Sequence, residues 1–253
     1  MLRGDSKGRM HVSEMSRAAN IAAKFGGLGA LAFVLGPVLA QLGLTSPFVA
    51  FRIFGVGLLL GLVALLLGAV GLWATRGAAG VGGRRLALFG SGVGVAIVGT
   101  VLGVLLSAGA GPVINDISTD LEDPPRFRAA QTAEANGGRD LAYPGEAFAA
   151  EQRKGYPDLK PIRMSGAPKE VYRRCLDAAH ELGWKLTMQD AATGTFEAVD
   201  VTAIFRFVDD IVVRVRGDGN ESVVDVRSKS RDGKGDMGAN AARIRAFRSA
   251  LAG

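Results

Sequence analysis

Three long apolar stretches occupy the first 110 residues, and a polar segment follows them. The stretches cover residues 25–44, 53–74 and 86–108, and none of them contains Asp, Glu, Lys, Arg or His. An α-helix needs about 20 apolar residues to cross the hydrocarbon core of a bilayer. Soluble core helices of that length usually keep a polar face. The pattern therefore predicts an α-helical membrane anchor of three transmembrane helices in region 25–110, which makes the chain multi-pass.

Basic residues next to these stretches predict the orientation of the anchor. Region 1–24 and loop 75–85 are rich in them, and the loop between the first two stretches carries only Arg52. The residues concerned are Arg3, Lys7, Arg9, Arg17, Lys24, Arg76, Arg84 and Arg85. Short loops rich in Lys and Arg stay in the cytoplasm. We therefore expect a cytoplasmic N-terminal tail, 1–24, and an exported C-terminal half. The Ala/Gly-rich composition suggests a bacterium, and thus the inner membrane and a periplasmic domain.

The charge is divided unevenly along the chain. Residues 1–110 hold nine Lys/Arg and two Asp/Glu, whereas residues 111–253 hold 21 and 22. The basic character of the chain thus belongs to the anchor and its flanks. A nucleic-acid-binding domain needs a basic patch of its own, so nucleic acid is excluded as a partner.

Small residues in the anchor are spaced for close helix contact. Three G-x-x-x-G pairs occur, namely Gly57/Gly61, Gly90/Gly94 and Gly99/Gly103. Such pairs let two helix backbones approach each other, although a glycine-rich composition also creates them by chance. They favour a compact three-helix bundle. The absence of charge inside the stretches argues against an ion path or a proton relay.

Region 111–165 is rich in proline and predicts extended backbone, because the residue before a proline avoids the helical conformation. Residues 146–154 could form one short helix. Large apolar residues recur along the region and would be wasted in a solvated tether; they are Phe127, Tyr143, Phe148, Tyr156 and Ile162. We therefore interpret the region as a strap laid over the following domain rather than as a free linker.

Region 166–253 has a regular pattern. Apolar residues at helical spacing, from Val171 to Leu182, begin after Pro168 and end at Gly183. Five β-rich runs follow, at 184–189, 195–201, 203–208, 211–216 and 222–227. The last helix covers 238–251, with Ala242, Ile244, Phe247 and Leu251 on its apolar side. The predicted fold is an α+β domain, helix-grip-like, in which an antiparallel sheet of four or five strands carries helices on one face and leaves the other face exposed.

Polar residues cluster where the last strand turns into the last helix. They comprise Arg227, Ser228, Ser230, Arg231, Lys234, Asp236, Asn240 and Arg243. Asp236 is placed to cap the helix. Free amides at a helix start, hydroxyl groups and basic side chains can together hold an anion. The alternative is internal ion pairing of the arginines with Asp209, Asp210, Asp225 and Asp236. The pattern is thus a candidate site for a polar or anionic ligand, or a structural network.

The same stretch carries a resemblance to a known family. The string RSKSRDGKGDMGANAARIRAF at 227–247 resembles the C-terminal signature of the bacterial and plastid family called domain of unknown function 1499. Further matches in the same order are NDISTDLEDPPRF at 115–127, GYPDLKPI at 155–162 and FVDDIVVRV at 207–215. The resemblance implies an extracytoplasmic domain and no assigned reaction.

Other reactive residues give weak signals. The acidic segment 116–123 could hold calcium, but a solvated or salt-bridged loop is the preferred interpretation, because the EF-hand spacing is absent and Pro124-Pro125 follows at once. One histidine in the domain, His180, and one cysteine, Cys175, cannot form a Cys/His metal site. We expect His180 at the surface and Cys175 in the core. No cofactor-binding motif is present, so neither a metal nor an organic cofactor is predicted.

These observations favour a non-catalytic, membrane-anchored periplasmic module whose partners are the lipid bilayer and either an envelope protein or a small polar ligand. One alternative is an envelope hydrolase that uses Ser228 or Ser230 as nucleophile. Another is a lipid-handling domain, which would require a deep apolar groove between the sheet and the helices.

Overall fold

The structure, a computed structural model, describes residues 14–76, 81–108 and 111–252. It consists of two compact units, and the boundary between them falls between Ser107 and Ala108. The predicted basic residues Arg3, Lys7 and Arg9 lie outside the described residues. So does His11.

The N-terminal unit is built from three long helices. Its elements are strand β1 (Glu14–Met15), helix α1 (Arg17–Gln41), helix α2 (Pro47–Ala74), strand β2 (Val81–Gly82) and helix α3 (Arg84–Ala108). The three helices are long and apolar enough to cross a membrane, which confirms the three predicted helices. Helix α1 begins earlier than its apolar stretch, because the Ser16 hydroxyl accepts the amide of Ala19 and caps the helix at that point.

Glycines lie where the anchor helices approach each other most closely. A Cβ atom added to Gly57 would lie 2.4 Å from the backbone nitrogen of Phe33 in α1. One added to Gly94 would lie 2.6 Å from the carbonyl oxygen of Gly61 in α2. Two of the three predicted pairs therefore serve helix packing. The third does not, since a Cβ atom at Gly99 or Gly103 would meet no described atom within 4 Å.

The C-terminal unit is an α+β domain, and its fold class confirms the prediction. Its elements are β3 (Asp116–Ser118), α4 (Ala129–Thr132), a 3-10 helix (Glu134–Asn136), α5 (Glu146–Gly155), β4 (Ile162–Ser165), α6 (Pro168–Glu181), β5 (Lys185–Asp190), β6 (Thr195–Val201), β7 (Val208–Asp218), β8 (Glu221–Ser230) and α7 (Ala239–Ala252). In the described part of the chain, the antiparallel sheet has the order β3-β8-β7-β6-β5, and β4 pairs with the same edge of β8 as β3.

One predicted strand is wrong. Residues 203–208 do not form a strand; they contain a turn, and only Val208 belongs to β7. The turn is closed by Thr202, whose hydroxyl accepts the amide of Phe207, and Arg206 adopts a positive φ of 60°. The β-rich run at 203–208 therefore forms the connection between β6 and β7.

Helices α6 and α7 cover one face of the sheet and form the main core. Val171, Cys175 and Ala179 of α6 are buried there, together with Ile244 and Phe247 of α7. The rings of Trp184 and Phe247 stack with centroids 4.9 Å apart. Ala242, which was predicted on the apolar side of α7, is exposed, and Ala241 is buried in its place.

The other face of the sheet is not exposed as the alternation predicted. Phe127, Ala130 and Leu141 of the proline-rich region pack on Val212 of β7 and form a second small core. Glu197 of β6 accepts the amides of Arg128, Ala129 and Ala130, with distances of 3.0 and 2.8 Å for the latter two. Residues 127–141 thus lie across this face, whereas Tyr156 and Leu159 belong to the main core. We refer to region 119–161 as the strap.

Candidate functional site

Arg227 occupies the centre of the polar cluster and joins the sheet to the strap. Its Nε and Nη2 atoms donate to the two carboxylate oxygens of Asp116 over 2.8 and 2.7 Å. Its guanidinium also donates to the carbonyl oxygens of Pro125 and Leu141, both in the strap. The residue is only 1% exposed, so these donors are already engaged inside the domain. Arg227 therefore holds the strap in place.

Two aromatic rings complete the surroundings of this guanidinium. Its central carbon lies 4.9 Å from the ring centroid of Phe127 and 5.4 Å from that of Tyr143. Lys229 donates to Asp116 over 2.8 Å, so the Asp116 carboxylate forms ion pairs with both Arg227 and Lys229. Burial, together with the charge of Asp116, raises the pKa of Tyr143 to about 12. The neutral phenol is thus the form that this site holds at physiological pH.

The second group of predicted residues lies on the helix-covered face. Ser228 donates to the Asn240 side-chain oxygen over 2.6 Å and accepts from Arg243 over 3.0 Å. Arg243 also donates to Asp209 over 2.6 Å and to Asp200 over 2.7 Å. Burial raises the pKa of Asp209 above its usual range, and Arg243 counteracts that effect. Ser230 accepts from the Asn240 side-chain amide over 2.9 Å.

Arg231 belongs to the strap side of the sheet. It donates to both carboxylate oxygens of Asp210, and its shortest contact is 2.7 Å. Asn136 and Arg139 of the strap bind the same carboxylate. Asp209 and Asp210 therefore point to opposite faces of β7, as expected for neighbours in a strand. This geometry separates the two carboxylates and prevents them from working as an acid/base pair.

The loop between β8 and α7 carries the remaining two residues. The Asp236 carboxylate accepts the amides of Gly238 and Asn240, each over 2.8 Å, and so caps the start of α7. This contact confirms the predicted capping role of Asp236. Lys234 is exposed to solvent. The free amides that an anion would have required are thus used by a residue of the chain itself.

The acidic segment forms ion pairs rather than a metal site. Asp120 and Asp225 each accept from Arg214 and Arg216, and Asp123 accepts from Arg214. Within the described residues, no group of three potential His, Cys, Asp or Glu ligands is close enough to hold a metal ion. A solvated or a salt-bridged loop was expected for segment 116–123, and the salt-bridged loop is observed.

A basic cavity that the sequence did not suggest lies beside β4. It has a volume of about 350 Å³ and is lined by β4, by one arginine each from α6 and α7, and by the end of α7. The lining comprises Ile162, Arg163, Met164, Ser165, Arg174, Arg248, Leu251 and Ala252, which include three arginines and no acid. These arginines lie far apart in the sequence, so no local motif predicts that they line one cavity.

A second cavity is formed by strap residues and has a volume of about 440 Å³. Its charged lining residues are Asp120, Glu122, Arg153 and Lys160. Arg153 is already paired with Glu122 and Glu146. Because its charges balance, this cavity offers no preference for an anion or a cation.

The sequence matches the family described as "Protein of unknown function (DUF1499)" over residues 116–251. The chain belongs to this family. The match begins at Asp116 in β3 and ends at Leu251 in α7, so the DUF1499 unit includes the strap as well as the sheet. None of the curated proteins matches the chain.

The geometry of the DUF1499 domain gives little support to nucleophilic catalysis by its serines. Ser228 is fully buried, and it directs its proton to an amide oxygen while accepting from a guanidinium. A guanidinium stays protonated in proteins and cannot act as a general base. Ser230 is also buried, whereas Lys234, the lysine four residues after it, is exposed.

The interior between the sheet and the helices is filled by side chains. Phe196, Ile211 and Val213 of the sheet are fully buried against α6 and α7. Interiors packed in this way contain few voids larger than a water molecule. A lipid-handling domain would need a deep apolar groove at this position, and the described side chains occupy it.

Proposed function

We infer that this DUF1499 protein is a non-catalytic binding module, tethered to the inner membrane of a bacterium with its N-terminus in the cytoplasm and its domain in the periplasm. We place its binding surface at β4 and the three-arginine cavity. The occupant is an acidic, extended segment of an envelope protein. The single observation that carries this proposal is the combination of an open sheet edge with three arginines.

Strand β4 provides a backbone surface for such a segment. It pairs with β8 on one side only, and in the described part of the chain no strand pairs with its outer edge. An open edge presents N–H and C=O groups that can accept a further strand. Extended peptides bind to several protein families by this route. The edge is short, so side-chain contacts must add to the affinity.

The arginines provide the selectivity for acidic side chains. Arg174 donates to the carbonyl oxygen of Leu251. Arg163 and Arg248 lie near carboxylates of Asp218 and Asp158, and these pairs are largely exposed. Exposed ion pairs contribute at most about 1 kcal/mol, so a ligand carboxylate can replace the present partners. Arginine also binds carboxylates with two parallel hydrogen bonds.

The predicted cluster from Arg227 to Arg243 has a different role in this proposal. Its arginines are satisfied by Asp116, Asp209 and Asp210, and removing them from those partners would leave buried carboxylates unpaired. Such a loss costs several kcal/mol. A ligand would therefore have to offset that cost before it could bind. We assign the cluster to stabilisation of the fold and of the strap.

Charge reversal in α6 tests the proposal. Arg174→Glu should abolish the complex that crosslinking recovers from intact membranes, because a like charge then faces the acidic segment. Arg173→Glu is the matched control, since Arg173 is the exposed neighbour of Arg174 and does not line the cavity. Equal recovery from both variants would refute the proposal. Recovery of no complex, together with stabilisation of the protein by inorganic phosphate, would identify a small anion as the occupant.

A further inference from the structure

Exposed apolar side chains of the C-terminal unit gather at one end of its sheet. Among the described residues of this unit, the large hydrophobic residues that are clearly exposed are Val113 (81%), Met237 (64%), Ile204 (57%) and Val201 (37%). Val113 lies just before β3, Val201 is the last residue of β6, and Ile204 and Met237 lie in the loops that follow β6 and β8. Isolated exposed apolar residues are common on protein surfaces, whereas four at one end of a sheet form a candidate interaction surface.

The hydrogen bonds between strands establish that these residues share an end. Val201 pairs with Val208, and the amide of Arg231 donates to Val208. The amide of Asp236 donates to Ile114, which links the β8–α7 loop to the residues before β3. The strands involved are β3, β8, β7 and β6, and neighbouring strands are about 4.8 Å apart, so the surface spans about 14 Å. We call this surface, made by residues 113, 201–207 and 231–238, the apolar end.

The chain enters the domain at the apolar end. Val113 is the fifth residue after Ala108, the last residue of α3. Five residues of fully extended chain span at most about 18 Å. Helix α3 is one of the three helices long and apolar enough to cross a membrane. If α3 crosses the bilayer, the chain enters the domain within about 18 Å of the end of this helix.

Backbone strain is concentrated in the same loops. In the described part of the chain, Arg206 and Met237 are the non-glycine residues with a positive φ, at 60° and 52°. Such conformations are costly for residues with a side chain and persist where the surroundings or a function require them. Both residues are exposed, and one of them is among the four apolar residues. The loops are thus held in an unfavourable conformation that presents an apolar side chain to the exterior.

Exposed charges at the apolar end are nearly balanced. Arg206 and Lys234 are exposed, as is Asp232. Contact with a bilayer would therefore depend on insertion of the apolar side chains into the interface rather than on attraction to anionic lipids. A protein partner at this position would have to compete with the bilayer for the same surface.

We propose that the apolar end of the domain rests on the bilayer, with Val113, Val201, Ile204 and Met237 inserted into the interface between headgroups and acyl chains. The turn between β7 and β8 lies at the opposite end of the sheet. The inference rests on the anchor and not on the function proposed for β4.

Accessibility measurements on the full chain in lipid nanodiscs test the contact. Met237→Cys and Ile204→Cys would each carry a nitroxide label, and Asn220→Cys in the turn between β7 and β8 is the matched exposed control. Cys175 does not interfere because it is buried, and burial raises its pKa to about 12. The labels at 237 and 204 should have a high collision rate with oxygen and a low collision rate with a water-soluble nickel chelate. The label at 220 should have a low rate with oxygen and a high rate with the chelate.

Equal chelate accessibility at all three positions would overturn the proposal. A second measurement needs no substitution: modification of lysine amines in the unaltered protein. Lys234 lies in the apolar end, and Lys169 is an exposed lysine at the start of α6 near the opposite end. Lys234 should react more slowly in nanodiscs than in detergent, whereas Lys169 should react equally in both. Unchanged reactivity of Lys234 would contradict the contact.

Discussion

Arg227 of β8 and Asp116 of β3 form a two-point ion pair inside the domain, with N–O distances of 2.8 and 2.7 Å. The pair connects the last strand to the first residue of the family match. Because Arg227 also binds two strap carbonyls, the loss of this one side chain affects both the sheet and the strap.

Arg227→Ala should therefore destabilise the domain by about 3–5 kcal/mol, the usual cost of removing one partner of a buried ion pair. Thermal unfolding of the full chain in detergent, followed by near-ultraviolet circular dichroism, measures the change. Arg128→Ala is the control, because the Arg128–Asp190 pair is largely exposed and should contribute at most about 1 kcal/mol. Similar effects of the two substitutions would argue against the role given to Arg227.

Glu197 should hold the start of the strap helix α4. Its carboxylate accepts three consecutive backbone amides, and Glu197→Gln would turn a donor group toward them. Hydrogen bonds to a charged group contribute about 1.5–3 kcal/mol. We expect faster amide hydrogen exchange in residues 128–136 and little change in β8. Glu134→Gln, at an exposed carboxylate in the same region, should leave the exchange rates unaltered.

The anchor offers a closely matched pair of glycines. Gly57→Leu would drive a side chain into the backbone of Phe33 and should separate α1 from α2, whereas an added Cβ atom at Gly55 meets no described atom within 4 Å. A pair of cysteines placed in the two helices should thus lose disulfide formation in Gly57→Leu and keep it in Gly55→Leu. If both variants crosslink equally well, the described packing of α1 on α2 is wrong.

Alkaline pH should destabilise the domain through Cys175. Burial raises its pKa from 9.0 to about 12, so the folded state keeps the proton that the unfolded state releases. Its contribution is fully present below pH 9 and is lost between about pH 9 and pH 12, at about 1.4 kcal/mol per pH unit. Denaturant unfolding at several pH values measures the slope. Cys175→Ala should flatten it between pH 9 and pH 10, where Tyr143 does not yet contribute.

Most of the fold could be predicted from the sequence, because helical and alternating patterns of apolar residues reflect local burial. Helices α6 and α7 and strand β6 follow directly from such patterns. Strands β3 and β4 could not be predicted in this way, because strands of three or four residues among prolines are too short to show a periodic pattern. The prediction that the sheet face opposite α6 and α7 is exposed was wrong. Alternation in β7 cannot reveal that a distant segment covers Val212.

The polar cluster was only partly predictable. Pairing of Arg231 with Asp210 and of Arg243 with Asp209 was among the internal ion pairs considered. The pairing of Arg227 with Asp116 was not among them, because Asp116 lies 111 positions away in the sequence. The arginines of the β4 cavity come from three separate elements and meet only when the chain folds.

The proposed function is tested most directly by a photo-crosslinking amino acid at Ser165, an exposed position of β4 that lines the cavity. Irradiation of intact membranes should give one discrete adduct with an envelope protein. That adduct should disappear when Arg174→Glu is combined with the probe and persist with Arg173→Glu. An adduct that survives Arg174→Glu, or the absence of any adduct from Ser165, would contradict the account.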